Sequence, residues 1–186
     1  SEGYIMDVQA LFDLTGKTAL VTGGATGIGR MAAEGLVSAG ARVLIASRKT
    51  AACEATAAEL NAMGLRGTAE GFGGDVATEE GVAALATEVA LRTEKLDILM
   101  NNAGRSWGAP LGEFPHNAWE KVMSLNVAGL FSLTQALLPL LKAAASDADP
   151  ARVVNVGSVM GEIPMGDGAY SYAASKAAVH QVTRIL

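Results

Sequence analysis

The sequence predicts an α/β fold, in which helices cover both faces of a doubly wound parallel sheet. From Thr18 onward, short apolar runs alternate with helical stretches. A glycine-rich turn follows the first apolar run directly. Half of the 186 residues are hydrophobic and 18% are charged, which is the composition of a folded domain and not of a disordered chain.

The first elements show the alternation most clearly. Thr18 to Thr22 is an apolar, β-rich run that ends in glycines, which predicts a buried strand. Apolar residues recur at helical spacing from Ile28 to Ser38, and Gly40 ends that helix. Arg42 to Ala46 predicts a second strand, and the alanine-rich stretch from Ala51 to Met63 predicts a second helix. This order of elements predicts parallel neighbouring strands.

The later elements continue the pattern. No linker or repeat divides the chain, so we expect one domain over residues 1–186 that begins with an N-terminal arm at 1–13. The expected elements are a third strand within Leu65 to Gly74, a helix from Glu79 to Leu91, a fourth strand from Leu96 to Met100, helix in two parts joined near Asn126 over Ala118 to Ala145, a fifth strand from Ala151 to Val156, and a helix from Tyr172 to Leu186.

Composition excludes several classes of function. The net charge of −5 gives no basic surface for nucleic acid. The single cysteine, Cys53, cannot form an internal disulfide and fits a reducing compartment. No apolar run is long enough to span a bilayer and no signal peptide is evident, so we expect a cytoplasmic protein without a membrane partner. His116 and His180 are isolated, so we expect them to be solvated or packed and no metal to bind.

The glycine-rich turn predicts a dinucleotide site. Gly23, Gly27 and Gly29 lie between the first strand and the first helix, with the spacing GxxxGxG. Glycines let the backbone approach a pyrophosphate, and the helix N-terminus presents free N–H groups to it. The alternative is a turn with a purely structural role. Its place in a βαβ unit favours binding.

The end of the second strand favours NADP(H) over NAD(H). An acidic side chain about twenty residues after the glycines would bind the ribose hydroxyls of NAD. Here Ser47 occupies that position, and Arg48 and Lys49 follow it. An arginine there can pair with a 2′-phosphate. The alternative is that Arg48 is an ordinary surface arginine.

Tyr172 and Lys176 predict proton transfer. They are four residues apart on an expected helix and therefore share a face. A nearby ammonium stabilises a phenolate and lowers a tyrosine's pKa, so that the phenol can serve as an acid or a base. Such pairs also occur on helix surfaces without a function. Tyr170 has no lysine at the same offset, which favours Tyr172.

Six segments in order along the chain resemble motifs of the short-chain dehydrogenase/reductase family, over essentially Leu14 to Leu186. The resemblance implies a Rossmann-type sheet. The matching segments are the TGxxxGxG turn from Thr22 to Gly29, Asp75-Val76, Asn101-Asn102-Ala103-Gly104, Asn126 in the long helix, Ser158 after the fifth strand, and Tyr172 with Lys176.

The resemblance also implies a role for each site residue. Ser158 would hydrogen-bond the substrate oxygen and Tyr172 would donate the proton. Lys176 would hold the nicotinamide ribose, and Asn126 would hold a water in a proton relay. The implied NADP(H)-binding residues are Gly23, Thr26, Gly27, Ile28, Gly29, Ser47, Arg48, Asp75, Val76, Asn102, Ala103, Gly104, Tyr172 and Lys176. The alternative to cofactor binding for Asn102 to Gly104 is a purely structural tight turn at the end of the strand. For Asn126 the alternative is a local helix break, which is compatible with a role in the proton relay.

Within the family, three stretches resemble the β-ketoacyl reductases of rhamnolipid synthesis and, more loosely, the 3-oxoacyl-carrier-protein reductases. They are Ser106 to Ala109, Trp119 to Met123 and Pro150 to Val153. This implies reduction of a 3-oxoacyl thioester, in fatty acid metabolism, with Trp107 and Met160 near the substrate. Both side chains are more often simple packing residues. The alternatives are an enzyme for a sugar acid, polyol or steroid-like alcohol and, more distantly, a non-catalytic NADP(H)-binding regulator.

Family members continue past the last expected helix with two further strands and a loop that covers the substrate. We therefore expect a longer natural protein, of which this chain lacks the C-terminal strands. The resemblance also implies a dimer or tetramer that pairs the long helices at Ala118 to Ala145. The leucines at 130, 133, 137 and 141 fit either core or interface, and core is favoured.

Overall fold

The computed structural model describes residues 7–166 and 168–186, so the first six residues of the expected N-terminal arm lie outside it. The strands are Thr18–Thr22 (β1), Arg42–Ser47 (β2), Thr68–Gly73 (β3), Ile98–Asn101 (β4) and Arg152–Asn155 (β5). The α-helices are Val8–Leu11 (α1), Gly27–Ser38 (α2), Thr50–Ala62 (α3), Glu79–Arg92 (α4), Asn117–Met123 (α5), Leu130–Ala136 (α6), Leu138–Ala144 (α7) and Tyr170–Ile185 (α8). A π-helical turn spans Ser124–Gly129, and short 3₁₀ turns span Leu111–Glu113 and Val159–Gly161.

The five strands form one sheet in the order β3-β2-β1-β4-β5, with every neighbouring pair parallel. All five residues of the central strand β1 are buried. The chain leaves β1 toward β2 and β3 on one side, and returns to β4 and β5 on the other. The strand order therefore reverses next to β1, and ligands bind in the crevice at such a reversal.

Helices pack on both faces of the sheet, which confirms the predicted Rossmann-type class. Successive residues of β1 point to opposite faces. Leu20 lies in a core layer with residues of α4 and α6, whereas Val21 lies in a layer with residues of α2 and α3. Cys53 of α3 belongs to the second layer and is fully buried. The sheet is thus held between two apolar layers.

The structure interrupts the long α-helix near Asn126 as predicted, but only by a π-helical turn, and the sharper break lies further along the chain. Helical structure runs from Asn117 to Ala136, with a π-helical turn at Ser124–Gly129, and the helix axis bends by 54° beyond it. The bend falls before Pro139, which has no N–H group and whose ring disfavours continuation of the preceding helix. Asn126 therefore lies in a local widening of a continuous helix.

The long helix faces the core. The leucines at 130, 133, 137 and 141 are buried, which agrees with the favoured core interpretation. Among the described residues, no single helix has the length and apolar character that crossing a membrane requires, but the bent pair 117–136 and 138–144 meets those criteria when taken together.

At the other end of the sheet, β5 has a neighbour on one side only. Its Val153 and Val154 are 37% and 45% exposed. The described residues therefore leave β5 as an uncovered edge of the sheet.

Candidate active site

The turn between β1 and α2 has the geometry of a phosphate cradle. Gly23 and Gly27 adopt φ values of 65° and 54°, which side chains disfavour. A Cβ at Gly29 would lie 2.3 Å from the Gly23 carbonyl oxygen, and nothing lies within 4 Å of the position that a Cβ of Gly27 would take. No side chain caps the twelve-residue helix α2. Its first N–H groups are therefore open to an anion.

The turn after β4 is tied to this cradle by a side chain that the sequence analysis did not single out. Thr22 Oγ1 accepts hydrogen bonds from the backbone N–H groups of Asn102 and Ala103, at 3.1 and 3.0 Å. In return, Asn102 Nδ2 donates to the carbonyl oxygens of Thr22 and Gly23. The Asn102 side chain thus closes the tight turn that follows β4. The only sequence signal for Thr22 was its place at the start of the glycine motif.

One cleft at the ends of β1 and β2 collects most of the residues predicted to bind the adenosine half of a dinucleotide. They are Gly23, Thr26, Ser47, Arg48, Asp75, Val76, Ala103 and Gly104. Ser47 Oγ lies 3.1 Å from Cys53 Sγ and accepts a hydrogen bond from Lys49 N, and Asp75 accepts one from Ala77 N. Arg48 is exposed and makes no ion pair within the described ranges. It is therefore free to meet an anionic ligand.

A second cleft continues from the first, and the two share Gly23, Thr26, Ala103 and Gly104. It brings together the remaining predicted residues, except Gly27 and Asn126, which line neither cleft. These are Ile28, Gly29, Asn102, Trp107, Ser158, Met160, Tyr172 and Lys176. Trp107 is 38% exposed at the cleft, and Lys121 Nζ lies 5.5 Å from its ring centroid.

Ser158, Tyr172 and Lys176 meet in this second cleft. Lys176 is buried, and its Nζ donates a 2.7 Å hydrogen bond to the carbonyl oxygen of Val156. That Nζ lies 5.6 Å from the ring centroid of Tyr172, one turn earlier on α8. Burial lowers the pKa of Lys176 below the ordinary lysine value. Ser158 begins the 3₁₀ turn after β5, and its Oγ accepts a hydrogen bond from Met160 N.

Asn126 reaches the site indirectly. Its Oδ1 accepts from Arg105 N and its Nδ2 donates to Arg105 O, both at 2.9 Å. Nδ2 also donates to Ser175 Oγ, which in turn donates to the carbonyl oxygen of Tyr172. π-helical turns inside α-helices are frequent at functional positions. Ser175, which the sequence analysis did not single out, thereby links the long helix to α8.

The cleft offers acid–base groups and hydrogen-bond donors beside an anion cradle. Within residues 7–166 and 168–186, no group of three or more histidine, cysteine, aspartate or glutamate side chains is placed to hold a metal ion. The anion cradle and the adjoining tyrosine, lysine and serine are chemically suited to a bound organic cofactor and to proton transfer.

Comparison with known proteins gives a family match over most of the chain. The model of the short chain dehydrogenase family matches residues 17–186. The rhamnolipids biosynthesis 3-oxoacyl-[acyl-carrier-protein] reductase of Pseudomonas aeruginosa is 51% identical over 175 residues, which are 94% of this chain and 67% of that protein. The D-threitol dehydrogenase of Mycolicibacterium smegmatis is 36% identical over 181 residues, which are 97% of this chain and 67% of that protein.

The solved structures give the same result. The Pseudomonas aeruginosa RhlG/NADP active-site complex superposes with a TM-score of 0.88 at 51% identity, and the match covers 94% of this chain and 67% of that one. The chain thus spans about two thirds of the length of these relatives.

Proposed function

Because the chain belongs to the short chain dehydrogenase family, we propose that its protein is an NADPH-dependent reductase that converts a 3-oxoacyl thioester to the 3-hydroxyacyl form. The observation that carries this proposal is the meeting of Ser158, Tyr172 and Lys176 in a cleft continuous with the glycine cradle. A nicotinamide cofactor supplies a hydride to the substrate carbonyl carbon, and the residues of this chain supply the proton and the binding groups.

The residues present fit NADP(H). The cradle at Gly23 and Gly29 has no room for side chains, and the uncapped N-terminus of α2 favours a pyrophosphate. Arg48 and Lys49 border the adenosine cleft, where the end of β2 carries no carboxylate. They would hold a 2′-phosphate by charge-assisted hydrogen bonds. The RhlG/NADP complex, at 51% identity, supports the same choice.

The acid–base groups fit carbonyl reduction. Ser158 would donate a hydrogen bond to the substrate oxygen and so stabilise the negative charge that develops there. Tyr172 would deliver its phenolic proton to the same oxygen. Lys176 borders the cleft beside the tyrosine ring, where a positive charge favours the phenolate that remains after proton transfer. Asn126 would anchor the proton relay through its contacts with Arg105 and Ser175.

A 3-oxoacyl thioester is favoured over other carbonyl substrates by the 51% identical relative, whose name carries that activity. The aromatic and thioether side chains of Trp107 and Met160 border the cleft and suit an apolar acyl chain. The second candidate is reduction or oxidation of a sugar or polyol, which the 36% identical D-threitol dehydrogenase supports.

We propose that the protein is a cytoplasmic homo-oligomer, a dimer or tetramer. The buried, free Cys53 fits a reducing compartment and so a cytoplasmic location.

The long helical segment supports the oligomer. Three of its large apolar side chains are partly exposed, namely Trp119 (39%), Phe131 (44%) and Leu138 (42%), and exposed apolar side chains of this kind favour a protein interface. Gel filtration with light scattering tests the oligomer, and a monomer at micromolar concentration would contradict it.

The test is NADPH oxidation by the full-length protein with a short 3-oxoacyl thioester, followed by the loss of nicotinamide absorbance. We expect turnover above the rate without substrate, and a much lower rate with NADH because Arg48 lacks its 2′-phosphate partner. Oxidation of polyols with NADP⁺ is measured in parallel. Turnover of polyols alone would replace the acyl thioester by the second candidate, and no turnover of either substrate would contradict the proposed function.

A further inference from the structure

His180 lies directly behind the serine of the cleft. It belongs to α8, one turn beyond Lys176, and its Nε2 accepts a 3.2 Å hydrogen bond from the backbone N–H of Ser158. Its side chain is 20% exposed. Of the two states expected from the sequence, solvated or packed, His180 is packed, and it contacts Ser158.

The turn that carries Ser158 is shaped around the imidazole ring. A Cβ at Gly157 would lie 2.3 Å from Nε2, and a Cβ at Gly161 would lie 2.9 Å from Cε1. The ring therefore restricts position 157 to glycine, whereas position 161 is restricted first by the α8 backbone, at 2.7 Å from the carbonyl carbon of Lys176 and 2.8 Å from Ala177 N. Gly157 precedes Ser158 and Gly161 ends the 3₁₀ turn Val159–Gly161, so the imidazole lies against both ends of this segment.

The other ring nitrogen faces an acid. Nδ1 lies 3.4 Å from Oε1 of Glu162, a long approach without the alignment of a good hydrogen bond. Arg184, one turn further along α8, approaches the same carboxylate at 3.9 Å. Because Nε2 accepts a hydrogen bond, a neutral ring must carry its proton on Nδ1, on the side of Glu162.

We propose that His180 is a positioning residue for Ser158, and that neutral imidazole with its proton on Nδ1 fixes the serine backbone so that Oγ faces the substrate oxygen. This inference rests on the proposed role of Ser158 in the reaction. His180 touches neither substrate nor cofactor in this scheme. Protonation of Nε2 would turn the acceptor into a donor, and the Ser158 N–H would lose its partner.

Two substitutions at His180 separate positioning from packing. His180→Gln keeps an oxygen acceptor near the Nε2 position and cannot be protonated, whereas His180→Leu fills the space without an acceptor. We expect His180→Leu to lower kcat about tenfold or more, since small displacements at a reacting centre are costly. We expect His180→Gln to keep kcat within about threefold of the wild type and both variants to keep NADPH affinity, since the glycine cradle is untouched.

The other histidine provides the matched control. His116 is exposed before α5, so His116→Leu and His116→Gln should leave kcat unchanged. Retention of kcat in His180→Gln together with its loss in His180→Leu is a result that simple packing would not give.

Nitrogen NMR of the full-length protein tests the geometry without turnover. We expect the Nδ1–H tautomer at His180 and a scalar coupling between Nε2 and the amide of Ser158. The Nε2–H tautomer, or an unchanged kcat in His180→Leu, would overturn the inference. A wild type that turns over no substrate would instead contradict the proposed function, and the tautomer and the coupling would still decide whether His180 holds Ser158.

Discussion

At the scale of single residues, the candidate site depends on a few hydrogen bonds that point in fixed directions. Lys176 is held by the Val156 carbonyl and not by a carboxylate, so its amine stays near the tyrosine ring. The backbone N–H of Ser158 donates to His180 Nε2, and Ser158 Oγ accepts a hydrogen bond from Met160 N. The side chains proposed to react are therefore oriented by groups that need not react themselves.

Replacing Tyr172 by phenylalanine tests the proton donor. The change removes only the phenolic oxygen, so we expect kcat to fall by about 10²- to 10⁴-fold, which is the usual contribution of a positioned acid. NADPH affinity, measured by fluorescence titration, should stay nearly the same.

Tyr170 provides the control for this prediction. Its ring packs edge-on against Phe114 at 5.3 Å, and a phenylalanine keeps that contact. Tyr170→Phe should therefore retain wild-type activity. If both variants kept substantial turnover, Tyr172 would not be the proton donor.

At the scale of elements, Asp97 joins three strands at the end of the sheet opposite the cleft. It is buried, and its Oδ2 accepts from Thr18 N at 2.9 Å. Its backbone exchanges hydrogen bonds with Thr18 and Arg152, and its Oδ1 lies 3.4 Å from Lys17 Nζ. The ammonium of Lys17 also pairs with Asp149. β1, β4 and β5 are thereby fixed in register, and this register decides which side chains reach the cleft.

Substitutions at Asp97 should show whether the buried amide of Thr18 requires that carboxylate. Asp97→Ala leaves the Thr18 N–H without a partner and should lower the free energy of unfolding by about 1–3 kcal/mol. Asp97→Asn keeps an oxygen acceptor and should cost about half as much. Urea unfolding followed by circular dichroism measures both. Equal losses in the two variants would show that the ion pair with Lys17 dominates instead.

The π-helical turn shows how one element serves both packing and the site. Gly129 approaches the chain after β3 so closely that a Cβ would lie 1.9 Å from the carbonyl oxygen of Val76. Asn126, in the same turn, binds Arg105 and Ser175. The π-helical turn thus packs the long helix against the segment after β3, and it directs the Asn126 side-chain amide toward Arg105 in the segment after β4.

At the scale of the whole molecule, burial of the Lys176 amine in the cleft lowers the free energy of unfolding. The fold buries an amine whose pKa is lowered by that burial, and a charged group in such a place opposes folding. The unfolded chain, with a lysine pKa near 10.5, binds more protons than the folded chain in the interval between the two pKa values. The free energy of unfolding must therefore rise with pH through that interval.

Lys176→Met provides the measurement, because it removes the titrating group and keeps the apolar stem. The difference in unfolding free energy, wild type minus variant, should increase as the pH rises toward 10.5 and then level off. Urea titrations of the cofactor-free, full-length proteins at several pH values give this difference. A difference that is constant with pH would contradict a lowered pKa of Lys176.

The sequence by itself determined the order of the elements and the chemistry available to them. Strand β1 and helix α2 follow from local patterns of apolar residues and glycine, which act within a few residues. The reacting groups followed from residue types at fixed spacing, such as Tyr172 and Lys176 on one helical face. The missing carboxylate after β2 was visible for the same reason.

Only the tertiary structure decided which distant groups meet. The contacts of Thr22 with Asn102, of Asn126 with Ser175 and of His180 with Ser158 join residues on separate elements, so no local period encodes them. The π-helical turn at Ser124–Gly129 was likewise visible only in the packed chain, where Gly129 lies against the Val76 carbonyl. Local sequence patterns do not carry contacts of this kind, since they form only when the sheet register brings the elements together.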